Sequence, residues 1–265
     1  MDKELIPRKI HWCWLSDDPL PRLVRDCIKS WQRIMPDYEI IRWDTKRFDI
    51  HSVQFVEQAY NARKWAFAAD YIRLFALYAE GGIYLDSDVR VFRKFDKFLR
   101  YSAFSGTEKW RDAQNKYTGC GIQAAIIGAE KGNPWIKDCM AYYLSRDFIV
   151  TNGKIQPVDV SPAVLAHYAD IGYGFKYDIF STKAQLLKSN IAIFPPSVFA
   201  SLWSEANLST YAMHLGEQAW IDEAVAKRAT ESRAGKLYRQ LCSSNRLWAM
   251  IHYWRKHCLY LLSHK

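Results

Sequence analysis

The sequence predicts an α/β fold, a mixed and mostly parallel central sheet flanked by helices, followed by a helical basic tail. Three observations carry this. Short apolar strands alternate along the chain with segments of helical period. The segments between them carry proline and glycine punctuation but no repeat, low-complexity stretch or linker before about residue 225. Beyond that point the composition turns basic and aromatic.

The elements follow in order. "IPRKIHWCWL" reads as a first strand near 9–14. "PLPRLVRDCIKSWQRIMP" places apolar residues at 23, 24, 27, 28, 31 and 34, a helical stripe bracketed by prolines. "YEIIRW" (38–43) is a short strand, and the apolar crowding from 61 to 79 predicts a largely buried helix. "GGIYLD" is the next strand, entered through a glycine turn. "AFSG" (103–106) and "GIQAAIIGA" (121–129) read as further strands. "NPWIKDCMAYYL" (133–144) is a helix with proline near its start, and "SPAVLAHYADIG" a shorter one ending at Gly172. "NIAIFPP" and "TYAMHL" are late strands. The division expected is a catalytic domain over 1–225 and a basic amphipathic helical extension over 226–265, packed on the domain or on a membrane.

The totals narrow the function. With 265 residues, 49% of them apolar and 25% charged, the chain is of ordinary globular composition. The net charge of +9 is misleading. From Val225 to Lys265 there are nine Lys/Arg and one acid, Glu231, so the body is nearly neutral and nucleic acid is not an expected partner. The six cysteines lack the spacing of a zinc or redox motif and read as free thiols in a reducing compartment. "MDKELIPRKIHWCWL" lacks the apolar core of a secretory signal, and no apolar run approaches the roughly 18–20 residues that span a bilayer. The expected location is cytoplasmic, with peripheral contact to the cytoplasmic face of the inner membrane as the further option. The tail carries apolar residues at 237, 238, 241, 247, 248, 251, 254, 258, 259 and 262 with bases between, which suits an anionic bilayer surface or a helix packed on the domain.

The strand 83–86 ends on Asp86-Ser87-Asp88. Ligands of α/β sheets gather beyond the carboxyl ends of the strands. Adjacent carboxylates at such an edge repel each other and resist desolvation, so a bound cation is the expected compensation. Two hard oxygen ligands suit Mn²⁺ or Mg²⁺, with phosphate oxygens and water completing the shell, which points to a nucleotide-diphosphate substrate. Asp-x-Asp alone is also a common solvated turn.

The longer run "FAADYIRLFALYAEGGIYLDSDVRVF" resembles the core signature of GT-A-fold sugar transferases, most narrowly glycosyltransferase family 32: bacterial capsule and lipopolysaccharide transferases and yeast mannosyltransferases. The catalytic domains of clostridial glucosylating toxins are similar in this region. The signature is a helix with alanine ahead of Asp-x-x-Arg, here Ala68 or Ala69, then Asp70 and Arg73, followed by Leu77-Tyr78, Gly81-Gly82-Ile83-Tyr84-Leu85-Asp86 and Asp88. With "IPRKIHWCWL" and "SWQRIMPDYEIIRWD", the resemblance covers roughly residues 6–100 and thins afterwards.

What the resemblance implies is a retaining, metal-dependent transfer of a hexose or N-acetylhexosamine. The donor is a nucleotide-diphospho-sugar, UDP-linked by preference with GDP-mannose as the other option. The acceptor is a saccharide or lipid-linked saccharide in capsule, lipopolysaccharide or exopolysaccharide synthesis. Asp86 and Asp88 take the metal and the catalytic role, with Ser87 beside the donor. Asp70 and Arg73, three apart on one helical face, are assigned to donor sugar and ribose; an intrahelical salt bridge is the simpler reading. Trp14 matches the tryptophan that stacks on uracil in the toxins, and Trp12 alternates onto the same strand face; core packing is the plain reading of each. "YAMHLGEQAW" resembles the closing motif His-His-x-x-x-Ser-Trp through His214 and Trp220, with Leu215 and Ala219 departing from it. His214 would join the metal and Trp220 a phosphate oxygen. Gln123 lies in the strand under the donor sugar, and Asp159 is an acceptor contact. No general base is identified. Two other classes stay open: a metal-dependent phosphodiesterase or nucleotidyltransferase, and a sugar-binding module without catalysis.

Overall fold

The computed structural model describes residues 3–111, 116–152, 154–202 and 204–216. The tail from 226 onward lies outside the described residues. In chain order the elements are β1 (Lys9–Cys13), α1 (Arg22–Ile34), β2 (Glu39–Trp43), α2 (Gln54–Asn61), α3 (Trp65–Glu80), β3 (Gly82–Leu85), β4 (Val89–Val91), β5 (Ala103–Arg111), β6 (Tyr117–Ile122), β7 (Ile126–Ala129), α4 (Pro134–Leu144), β8 (Val150–Thr151), β9 (Lys154–Ile155), α5 (Ser161–Tyr168), β10 (Gln185–Leu187), β11 (Ile191–Phe194), β12 (Phe199–Ala200) and β13 (Ala212–His214).

The main sheet runs β10-β11-β5-β7-β3-β1-β2, with β6 pairing outside β5. Strands β2, β1, β3, β5 and β11 share one direction; β7 and β10 oppose it. The α/β class with a mostly parallel sheet is therefore what the chain adopts. Helices α2 to α5 cover one face, over a core that includes Phe55, Tyr71, Trp135 and Tyr143. The other face carries α1 and a small sheet, β12-β13-β4, over a core that includes Trp31, Phe98, Phe104 and Phe199. No described helix is long and apolar enough to cross a membrane.

Three expectations are corrected. The helix expected over 61–79 starts only at Trp65, because Arg63 takes a positive φ of 57° and separates α3 from α2, a helix the sequence reading did not anticipate. The strand expected over 121–129 breaks at Gln123-Ala124-Ala125 into β6 and β7, since β6 pairs with β5 and β7 inserts between β5 and β3. The strand expected over 103–106 continues to Arg111, its outer half pairing only with β6.

The turn into β3 is fixed by chemistry the sequence pattern does not show. Gly81 (φ 68°) and Gly82 (φ 122°) occupy backbone conformations that side chains disfavour. A Cβ on Gly82 would stand 2.9 Å from the Lys9 carbonyl and 3.0 Å from His11 Nε2. Buried His11 accepts at Nδ1 from Trp43 Nε1 (3.0 Å), so its Nε2 carries the proton and donates to the Gly81 carbonyl (2.8 Å). Burial lowers the imidazole from its ordinary range, which keeps it in that neutral tautomer. β3 is thus held in register with β1, His11 opposite Tyr84, and delivers its carboxyl end to the same sheet edge as Trp14.

Candidate active site

After Leu85 the chain turns sharply. The Asp86 amide donates to the Ala125 carbonyl (2.9 Å) and the Val89 amide to the Asp86 carbonyl (2.9 Å), so Asp86, Ser87 and Asp88 form a tight corner between β3 and β4. α1 anchors the strand that leaves it. Trp31 Nε1 donates to the Val89 carbonyl (2.8 Å), and the Val91 amide donates to Ser30 Oγ (3.1 Å). β13 then pairs antiparallel with β4, His214 opposite Val89, and the Leu215 amide donates to the Asp88 carbonyl (3.1 Å). The His214 imidazole arrives 3.3 Å from Asp88 Oδ1 and 4.0 Å from Asp86 Oδ2. One ligand atom from each of the three lies within 4.8 Å of the others.

Behind this triad stands Arg73 on α3. Its guanidinium is almost wholly buried and is 2.8 Å from Asp70, 3.5 Å from Asp86, and donates to the Ala124 carbonyl at 2.8 Å. It also lies over the Tyr84 ring, 4.9 Å from the centroid. The break between β6 and β7 has a purpose here: Ala124 holds Arg73 and Ala125 holds Asp86. Burial pushes the Asp70 carboxyl up to about 7, with Arg73 opposing and Asp86 adding to the shift. Burial alone would lower the His214 imidazole. Asp88 above all, then Asp86 and Glu108, outweigh it and bring the group to about 9.

Two further acids complete the surroundings, and sequence reading missed both. Glu108 sits on the outer part of β5, on the strand face that carries Phe104 and Gly106. Burial raises its carboxyl, His214 lowers it, and Glu205 and Asp86 raise it again. Glu205 accepts from the Ser201 (3.1 Å) and Leu202 (3.0 Å) amides just after β12. The signal for Glu108 was the alternation along "AFSGTE", had the strand been carried past Gly106. Glu205 has no such signal, because only the small sheet brings it to this edge.

The other candidates are placed as follows. Trp14 is half-buried beyond β1, its amide donating to the Trp43 carbonyl (2.9 Å) and its Nε1 to the Asp18 carbonyl (3.3 Å). Trp12 does not share that exposure. It is buried against Trp31, ring centroids 6.2 Å apart, so packing occupies it. Gln123 is fully buried: its Nε2 donates to Ser201 Oγ, and its Oε1 has no protein partner among the described residues. Ser87 is half-buried at the corner. Asp159 is exposed ahead of α5 and its contact is with Tyr142, the amide donating to the phenol oxygen (2.8 Å), not with the carboxylate cluster. Trp220 lies outside the described residues.

The charge balance shows what the site can hold. Asp70, Asp86, Asp88, Glu108 and Glu205 face one guanidinium and one imidazole. Such an excess of acid is a setting that a bound cation can balance. Two carboxylates and an imidazole in mutual reach are ligands that Mn²⁺ or Mg²⁺ accepts.

Comparison with known proteins gives an independent view. The family described as "Glycosyltransferase sugar-binding region containing DXD motif" matches residues 21–105. The chain is 30% identical over 139 residues to inositol phosphoceramide mannosyltransferase 3 of Schizosaccharomyces pombe, covering 49% of this chain and 35% of that protein. It is 30% identical over 140 residues to mannosyl phosphorylinositol ceramide synthase SUR1 of Saccharomyces cerevisiae, covering 50% and 33%. The chain thus spans about a third of the length of these curated relatives. Among solved structures it is similar to the PaToxG glycosyltransferase (TM-score 0.46, 18% identity, 63% of this chain and 70% of that one). It is also similar to a glycosyltransferase involved in glycosylation of the major capsid of PBCV-1 (TM-score 0.44, 10% identity, 83% and 98%). The matched stretch contains α1, the Asp70/Arg73 helix, the double-glycine turn and the Asp86/Asp88 corner. Over residues 21–105 the chain is thus similar to the glycosyltransferase sugar-binding regions that contain the DXD motif.

Proposed function

We propose that the chain is a retaining, metal-dependent glycosyltransferase that moves a hexose or N-acetylhexosamine from a nucleotide-diphospho-sugar to a saccharide or lipid-linked saccharide. The observation that carries this reading is the meeting of Asp86, Asp88 and His214 at one corner, backed by the buried Asp70/Arg73 pair. Asp86, Asp88 and His214 hold Mn²⁺ or Mg²⁺, which when bound neutralises the departing diphosphate. Arg73 holds Asp86 in place, and half-buried Asp70 beside it offers a carboxyl to donor hydroxyls. Half-buried Trp14, beyond the neighbouring strand, is the platform for the base. Its role argues for a UDP donor, while the names of the two yeast relatives add mannosyl donors and an inositol-phosphate lipid acceptor to those worth testing. Cytoplasmic placement at the inner membrane, in capsule or lipopolysaccharide synthesis, accords with a lipid-linked acceptor.

A nucleotide-release screen tests the proposal. The protein is given UDP-glucose, UDP-galactose, their N-acetyl forms and GDP-mannose, with Mn²⁺ or with EDTA. Metal-dependent release from one donor supports a transferase. A protein that binds none of these donors overturns the reading, and one that binds without release, even with saccharide acceptors added, is a binding module.

The imidazole provides a second check. Because the metal-free His214 holds its proton up to about 9, a cation must displace that proton to bind. Mn²⁺ affinity is expected to rise about tenfold per pH unit from roughly pH 7 to 9 and then level off. Calorimetric titration at several pH values measures this, and His214→Gln should flatten the dependence.

A further inference from the structure

The β5–β6 hairpin and the loop leading into β10 hold aromatic side chains in water. Phe180 is 78% exposed, Tyr177 50% and Tyr117 38%. The Tyr117 and Phe180 rings meet edge-on with centroids 6.5 Å apart, so hairpin and loop present one continuous surface. Lys109 Nζ stands 5.2 Å over the Tyr117 ring, and Lys176 and Lys183 are exposed on the same loop as Phe180.

The loop is built to hold this shape. Gln185 accepts from the Lys176 amide (2.9 Å) through Oε1 and donates to the Lys176 carbonyl (2.9 Å) through Nε2. Asp178, the acid between the two lysines, accepts from the Phe180 amide (2.9 Å), and Ser181 Oγ donates to the Lys183 carbonyl (3.2 Å). A turn that keeps phenylalanine and tyrosine out of the core through its own hydrogen bonds points to something that covers them.

Charge decides what that is. Lysines with apolar stems around exposed aromatic rings match the boundary between acyl chains and headgroups. The chain's own tail is a poor occupant, because its nine Lys/Arg against one acid from Val225 onward would meet these lysines with like charge. An anionic surface meets them with opposite charge. We propose that Tyr117, Tyr177 and Phe180, with Lys109, Lys176 and Lys183 around them, dock the protein on an anionic lipid bilayer. This contact is separate from any made by the basic tail. β5 carries Lys109 on one face and Glu108 on the other, so docking holds the strand that borders the carboxylate corner close to the bilayer, where a lipid-linked acceptor resides. That last step rests on the transferase reading; the docking does not.

The test is co-sedimentation of the full chain with vesicles of phosphatidylcholine alone and of phosphatidylcholine mixed with phosphatidylglycerol. Binding is expected to the mixed vesicles and to be weak on the neutral ones. Tyr177→Ser with Phe180→Ser, and separately Lys176→Glu with Lys183→Glu, should each weaken it about tenfold or more. Circular dichroism and donor hydrolysis without vesicles should stay unchanged, the latter reporting on the transferase reading by itself. Wild-type protein that ignores anionic vesicles overturns the proposal. So do variants that bind as well as wild type, which would place the contact elsewhere in the chain.

Discussion

Asp88→Ala is expected to lower metal-dependent nucleotide release by about a thousandfold, the scale on which loss of a charge-stabilising group acts. The backbone should not suffer. The Asp88 carbonyl still accepts from Leu215, and Trp31 still holds Val89. Removing Asp88 relieves repulsion from Asp86 but also takes away the main partner of the His214 imidazolium, so the melting temperature should fall near neutral pH and approach wild type as pH rises towards 9. Asp88 is the largest influence holding the His214 proton, so the variant's imidazole should titrate well below 9, which NMR of the ring protons would show. A variant that keeps more than about a tenth of wild-type release would remove Asp88 from the catalytic role.

Arg73→Ala should act on the fold before it acts on chemistry. It leaves the half-buried Asp70 and Asp86 side by side without their shared cation, a loss on the scale of about 3 kcal/mol. That corresponds to a fall of roughly 10 °C in melting temperature for a chain of this size. The deficit should depend on pH. Asp70 already has a folded pKa raised to about 7, above its unfolded value, so the stability it contributes is present in acid and lost as pH rises through 7. Without Arg73 that shift grows. The variant should lie closer to wild type at about pH 5 than at about pH 8. Thermal melts at the two values decide it; equal deficits at both would mean that Arg73 serves packing alone.

Much of the site was legible because it is local. Asp70 and Arg73 share a helical face, and Asp86 and Asp88 close a strand whose glycine turn announces itself. Nothing in those periodicities says that Arg73 reaches across to Asp86 and Ala124, or that the 121–129 run must break to receive it. Trp12 and Trp14 looked alike at alternate strand positions. Only the presence of Trp31 beneath β1 separates a packed ring from a half-exposed one. Glu108 was missed because the strand was stopped at Gly106, short of its outer half. Glu205 was missed because its place is set by the small sheet, where β13 pairs with β4 across a long stretch of chain, and single-sequence patterns do not record such pairings.

The pairing of β13 with β4 has a consequence for the protein's birth on the ribosome. The aspartate corner is synthesised early, but the imidazole that faces it comes from the last described strand. A long stretch of chain must emerge before the two can meet, and closing it is entropically slow. A nascent chain holding only the first half therefore carries the acidic corner without its third ligand. Competence at this site waits for β13, which is made after the strands of the sheet that supports it.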